Sequence, residues 1–188
     1  MRSNKSFLPS WARGTLCLWF ALVCVLGFPK DTWAEKFEST EYGFAIEAPE
    51  GWQAQPAVYE GVVATFWKEG SLATFHVIER DLGEAKTVAD LEWKDLFAPK
   101  FDEILIRQES ETMVGGEKAR YCIYKIKPGL FKQQMEGKHD FKYMNYIVIH
   151  ENRLYSITFK GLESSFGQDY SGFLESVRTI RFLDSQKP

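Results

Sequence analysis

Residues 141–160, FKYMNYIVIHENRLYSITFK, constrain the fold of this chain more than any other stretch. Two strand-like runs, Phe141 to His150 and Leu154 to Lys160, bracket Glu151-Asn152-Arg153, which is the spacing of a β-hairpin. In the first run both alternating sets are apolar: Met144, Tyr146 and Val148 on one side, Tyr143, Ile147 and Ile149 on the other. Because successive side chains of a strand point to opposite faces, such a strand needs cover above and below. The hairpin therefore belongs in the middle of a sheet, and the rest of the chain has to supply two covering layers.

The remaining sequence offers further hairpins and two helical patterns. Phe44, Ile46 and Ala48 alternate with Ala45 and Glu47 until Pro49-Glu50-Gly51 stops the strand, with Trp52 placed to fold back over the sheet as a structural aromatic. Val62 to Lys68 and Leu72 to Glu79 flank Glu69-Gly70-Ser71, and Ile104 to Val114 turns at Gly115-Gly116 into Lys118 to Lys127. After Thr87, a good N-cap, Val88, Leu91, Leu96 and Phe97 recur at near-helical spacing, which predicts a helix over about 88–98 ended by Pro99. Phe166, Tyr170, Phe173, Leu174 and Val177 predict a second, amphipathic helix over 166–177, and Thr179 to Leu183 a closing strand. Successive hairpins imply an antiparallel sheet of α+β class, with the two helices available to cover its faces.

The N-terminus reads as a targeting segment. Arg2, Lys5 and Arg13 precede an apolar run from Gly14 to Phe28, too short for the roughly 20 residues of a spanning helix, and Thr32-Trp33-Ala34 offers small residues for signal-peptidase cleavage before Glu35. The expected organisation is a signal peptide over 1–34 and one domain over 35–188. The whole chain has 23 basic and 26 acidic residues, and the first 34 hold four basic (Arg2, Lys5, Arg13, Lys30) and one acidic (Asp31), leaving 19 against 25, formally −6. That balance argues against nucleic acid as a partner. Cys17 and Cys24 leave with the signal, so Cys122 remains without a disulfide partner.

In the order of its parts the chain resembles the PsbP-like superfamily, the photosystem II extrinsic subunits and their bacterial extracytoplasmic relatives. The matching pieces are YGFAIEAPEGW (42–52), VGGEKARYCIY (114–124), ENRLYSITFKG (151–161) and FLESVRTIRF (173–182). The resemblance implies an α/β/α sandwich around the antiparallel sheet and a non-enzymatic docking role. It also implies a secreted, periplasmic or otherwise extracytoplasmic location, the thylakoid lumen if the source is photosynthetic. Gly137-Lys138-His139 is similar to a Gly-Lys-His of plant-type members, and Glu163 stands where those place an acid, so His139 and Glu163 are the pair to test for a divalent metal such as calcium, zinc or manganese. No cofactor is otherwise expected.

Nucleophile elbows, P-loops, HExxH and paired-cysteine motifs are absent from the sequence. Cys122, between Tyr121 and Ile123, reads as a buried inert thiol. His76 and His150 lie in strands and read as structural, as do Trp52, Gly115 and Gly116. The segment from Lys125 to Lys142 reverses the sign of the chain, with five lysines against Glu136 and Asp140 and with Phe131 and Phe141 interleaved. Lys127, Phe131, Lys132, Lys138 and Lys142 are accordingly the expected partner-binding residues, for an acidic protein surface or a membrane protein complex. The competing readings are a small-ligand or metal carrier of the periplasm, which would need an apolar pocket between sheet and helix, and a hydrolase.

Overall fold

The computed structural model describes residues 35–55, 61–97, 103–127 and 139–183. The signal segment 1–34 and the site residues Phe131, Lys132 and Lys138 lie outside the described residues. The elements are β1 (Lys36–Ser39), β2 (Phe44–Glu47), β3 (Trp52–Gln55), β4 (Val62–Lys68), β5 (Thr74–Arg80), α1 (Trp93–Leu96), β6 (Glu103–Val114), β7 (Glu117–Lys127), β8 (Phe141–His150), β9 (Arg153–Leu162), α2 (Phe166–Thr179) and β10 (Arg181–Phe182). Seven strands form one sheet in the order β3-β4-β5-β9-β8-β7-β6, and three form a second in the order β1-β2-β10. Every pairing is antiparallel.

The hairpin that opened the sequence reading sits where its two apolar sides require, with β9 central and β8 beside it. His150 pairs Arg153, so the turn is the two residues Glu151 and Asn152, whose φ values of 46° and 64° give the left-handed conformation that a tight hairpin uses. The β6–β7 hairpin turns at Gly115-Gly116 in the same way, with φ of 59° and 89°. Gly115 has a second reason to be glycine: a Cβ there would lie 2.7 Å from Cε2 of Phe182.

Two cores sandwich the large sheet. On the first face, Phe66, Phe75, Ile157, Phe159 and Tyr146 pack against Phe173 and Val177 of α2 and against Phe44 and Ile46 of the small sheet. The rings are continuous, with centroids at 4.4 Å for Phe66 and Phe75, 5.5 Å for Phe75 and Phe173, and 5.0 Å for Phe159 and Phe173. Trp52 joins them, 6% exposed and 5.4 Å from Phe75, so its expected structural role is the one it has. Asp169 of α2 is buried but satisfied, accepting from Lys68 Nζ at 2.9 Å.

The second face differs from expectation. The helix expected over 88–98 is a 3-10 turn at Val88–Asp90, an extended link at Leu91 and Glu92, and the single turn α1. The start signal is present, since the Asp90 carboxylate accepts from the backbone N–H groups of Thr87 (2.8 Å) and Lys86 (3.1 Å) in a capping-box arrangement, but the helical turn stops at Leu91, whose backbone is extended (φ −92°, ψ 131°). The apolar residues still do their work, since Leu91, Val88, Trp93, Leu96 and Phe97 pack on Cys122, Tyr124, Ile147 and Leu154. The sandwich implied by the resemblance is thus sheet-dominated, with one substantial helix on one face and a short irregular layer on the other. The helix expected over 166–177 is present as α2.

Candidate functional site

Of the expected binding residues, the two that are described, Lys127 and Lys142, lie at one end of the large sheet. The last β8–β9 pairs are Lys142 with Gly161 and Phe141 with Leu162, and the Glu163 N–H donates to the Asp140 carbonyl at 2.8 Å. Lys142 shares the α2 face with Met144 and Tyr146, and its Nζ sits 4.8 Å above the Phe166 ring. Lys125 reaches over the same face and donates to Glu163 at 2.6 Å. Lys160, on the opposite face, lies 4.0 Å over the Phe141 ring. Lys127 ends β7, opposite Glu103.

A residue that the sequence reading missed completes this corner. β6 carries a bulge between Ile106 and Gln108 that leaves Arg107 out of register, exposed. The Glu163 carboxyl is held below the usual carboxylate range, first by its hydrogen bond to Lys125 and further by the charges of Lys125, Lys142 and Arg107. Three cations thus act on one carboxylate, and with Asp140 counted beside Glu163 they outnumber the acids of this corner three to two on a chain that is acidic overall.

The same geometry bears on the metal pair. His139 is exposed, its ring 6.3 Å from that of Phe141, and it directly precedes Asp140, whose carbonyl accepts from the Glu163 N–H. Glu163 is already engaged by an ammonium group, and no cluster of three or more His, Cys, Asp or Glu that could hold a metal occurs among the described residues. Two donors, one of them competed for by Lys125, fall short of the three or four protein ligands of a typical zinc centre.

The second face holds a feature that sequence reasoning did not find. Register aligns Thr65, His76, Thr158, Asn145, Cys122 and Glu109 in one row across six strands, from β4 to β6. Ser156 Oγ donates to Asn145 Oδ1 at 3.0 Å, and Trp93 Nε1 of α1 donates to Glu109 at 2.8 Å. Between this row and the covering layer lies a cavity of about 190 Å³, floored by His76, Thr158 and Asn145 and walled by Arg80, Leu96, Phe97, Ile104, Tyr124 and Ile126. Burial, then the nearby Lys160, pushes the His76 pKa down, and burial pushes the Arg80 pKa down. The Cys122 thiol in the same row is fully buried and pushed up to about 12, mainly by burial, which agrees with an inert role. A signal existed in the sequence: Asn145 interrupts a set, Tyr143, Ile147 and Ile149, that is otherwise apolar on that face.

Among solved structures the chain is similar to cyanobacterial PsbP (CyanoP) from Synechocystis, with 14% identity and a TM-score of 0.59 over 83% of this chain and 96% of that one. The fold is PsbP-like. The same fold relates it to the Ran-binding protein Mog1p of Saccharomyces cerevisiae, at 10% identity and a TM-score of 0.56 over 81% of this chain and 96% of that one. LpqN of Mycobacterium tuberculosis, described as involved in cell envelope biogenesis, is similar at 9% identity and a TM-score of 0.54, over 84% of this chain and 87% of that one. No protein-family model matches the sequence, and no curated protein does. At these identities the likeness carries the PsbP-like fold, while each neighbour's role remains its own. No helix among the described residues is long and apolar enough to cross a membrane.

Proposed function

We propose that this chain is a non-catalytic accessory domain, processed after Ala34 and exported, that docks on an acidic surface of a membrane-associated protein complex at the extracytoplasmic face. The observation that carries the reading is the basic corner, where Arg107, Lys125 and Lys142 converge from β6, β7 and β8 around Glu163. Two of the three, Lys125 and Lys142, belong to the lysine-rich stretch singled out in the sequence, and Phe166 gives the corner apolar area beneath the Lys142 ammonium. The PsbP-like fold supports the same reading, since it is shared with a Ran-binding protein and with a protein of envelope biogenesis.

Charge at the rim of an interface acts mainly on association rate and orientation, and salt screens it over a Debye length of roughly 8 Å at physiological ionic strength. Arg107→Glu with Lys142→Glu should therefore abolish co-sedimentation of the exported protein with its own membranes at low salt while leaving the melting temperature within about 2 °C, because surface substitutions usually fall within about 0.5 kcal/mol. Retention of full co-sedimentation by the double variant at low salt would exclude the corner as the docking surface. A divalent cation at His139 and Glu163 is the subordinate proposal; it would have to displace Lys125, and a zinc- or calcium-dependent rise in melting temperature that His139→Ala removes is the result that would establish it.

A further inference from the structure

The cavity on the second face is lined by a cation that has no ion-pair partner among the described residues. Arg80 Nε is shielded from solvent and has no hydrogen-bond acceptor, and no carboxylate pairs with the Arg80 side chain among the described residues. Its chain neighbour Glu79 pairs with Arg153 instead. The Arg80 side chain is half-buried, and its shielded Nε–H carries a desolvation penalty that an anion accepting from it would relieve. None of the residues lining the cavity is acidic. Asn145 is 2% exposed and its Oδ1 accepts from Ser156, so its amide nitrogen is the end of the side chain that could donate to a ligand.

The contrast with the neighbouring groove sharpens the point. A wider opening of about 360 Å³ lies over β6 and β7 and is lined by Glu92, Glu109, Glu111 and Arg120. There the cation is spent: Arg120 donates to the carbonyls of Val88 (3.0 Å) and Leu91 (2.9 Å) and lies 3.5 Å from Glu109. Arg120 fastens the covering layer to the sheet, whereas Arg80 has no such employment.

We propose that the cavity beneath α1 binds a small organic carboxylate, its head group on the Arg80 guanidinium and the Asn145 amide and its apolar body against Leu96, Phe97, Ile104 and Ile126. The size fits: a dry apolar cavity of about 150 Å³ takes a benzene ring, so about 190 Å³ admits a ring or short chain with a carboxylate attached. The Arg fork suits the two oxygens of a carboxylate, and the wall supplies the apolar surface that acetate alone could not use. This inference stands on residues other than those of the docking corner and survives or fails independently of it.

Benzoate is the probe, titrated at pH 7 into the full chain by calorimetry and by NMR, with benzyl alcohol as the uncharged body and acetate as the bare head. Benzoate should bind saturably at one site, at least about tenfold more tightly than either control, and should shift the side-chain resonances of His76 and Asn145. Arg80→Gln should weaken benzoate at least about tenfold, bring it level with benzyl alcohol, and leave the melting temperature unchanged or raised, because the charge it removes is uncompensated in the free protein. Arg80→Lys should keep part of the affinity. The proposal is overturned if benzoate shows no saturable binding, binds no better than benzyl alcohol, or keeps its affinity in Arg80→Gln. Should Arg80→Gln fail to fold, Arg80 has an internal role that contradicts the premise, and absence of the His76 and Asn145 shifts in the unaltered protein would independently exclude the site.

Discussion

Gly115 and Gly116 sit side by side in one turn, both at positive φ, and the same substitution should affect them unequally. Alanine at either position meets the left-handed strain of about 1–2 kcal/mol. At Gly116 that is the whole effect, since no atom lies within 4 Å of the added Cβ. At Gly115 the Cβ would approach Phe182 Cε2 to 2.7 Å and Cδ2 to 2.8 Å, with the Ile180 carbonyl at 3.3 Å. Phe182 cannot simply swing away: its ring is 4.6 Å from His150, 5.2 Å from Tyr155 and 6.0 Å from Phe44. Overpacking of this kind costs about 1–3 kcal/mol more. Gly116→Ala should thus destabilise by about 1–2 kcal/mol and Gly115→Ala by about 2–5 kcal/mol in equilibrium urea unfolding. A cycle with Phe182→Ala isolates the cause. Combined with it, Gly115→Ala should lose about 1–3 kcal/mol of its effect, while Gly116→Ala should remain additive within about 0.5 kcal/mol. Equal destabilisation by the two glycine variants, or additivity of Gly115→Ala with Phe182→Ala, would refute the docking of β10 on this turn.

Other outcomes are equally specific. Trp52→Ala, which empties a site between Phe75 and Phe159, should destabilise by about 3–5 kcal/mol with the fold retained in mild conditions. The His76 pKa lies below its usual 6.5, so its neutral form stabilises the fold: the contribution is complete above about pH 6.5 and is lost as pH falls from there through the folded value. His76→Asn should therefore flatten the decline of melting temperature below about pH 6.5, and an unaltered slope would count against the burial argument. Cys122 should resist iodoacetamide at pH 8 in the native state and react only after unfolding. Cleavage after Ala34 should give an exported product beginning at Glu35, whose carbonyl accepts from Ala48 N–H and whose carboxylate accepts from Ala54 N–H, each at 2.8 Å, so the cut leaves these contacts whole.

Six of the seven strands of the large sheet were legible because their information is local; the edge strand β3, just past Pro49-Glu50-Gly51, was not. Period-two alternation and short turns define β4 to β9 almost to the residue, and the double-sided apolarity of β8 located the centre. Of the small sheet, β2 and the closing strand were legible, but the four-residue β1 and the assembly were not, because β10 is two residues long and joins β2 across nearly the whole described sequence. The expected helix over 88–98 failed for a different reason: apolar spacing records which side chains face the core, and a 3-10 turn followed by one α-turn meets that demand as well as a helix does. At the basic corner, Lys142 could be read from its own segment. Arg107 could not, since a bulge in a distant strand delivers it. The row from Thr65 to Glu109 exists only once the register of six strands is known, and with it the isolation of Arg80.

The central claim, that this domain docks through its basic corner, is tested most directly by position-specific photo-crosslinking in the native membrane. A photoreactive residue at position 142 probes the corner. One at Met113, 59% exposed beside the opposite turn of the β6–β7 hairpin, serves as control. The six-residue interval from Arg107 to Met113 alone spans about 20 Å of strand, enough to separate the two ends of the sheet. The account predicts a discrete protein adduct from position 142 that disappears at high salt, and none from position 113. Adducts from position 113 with none from position 142 would contradict it.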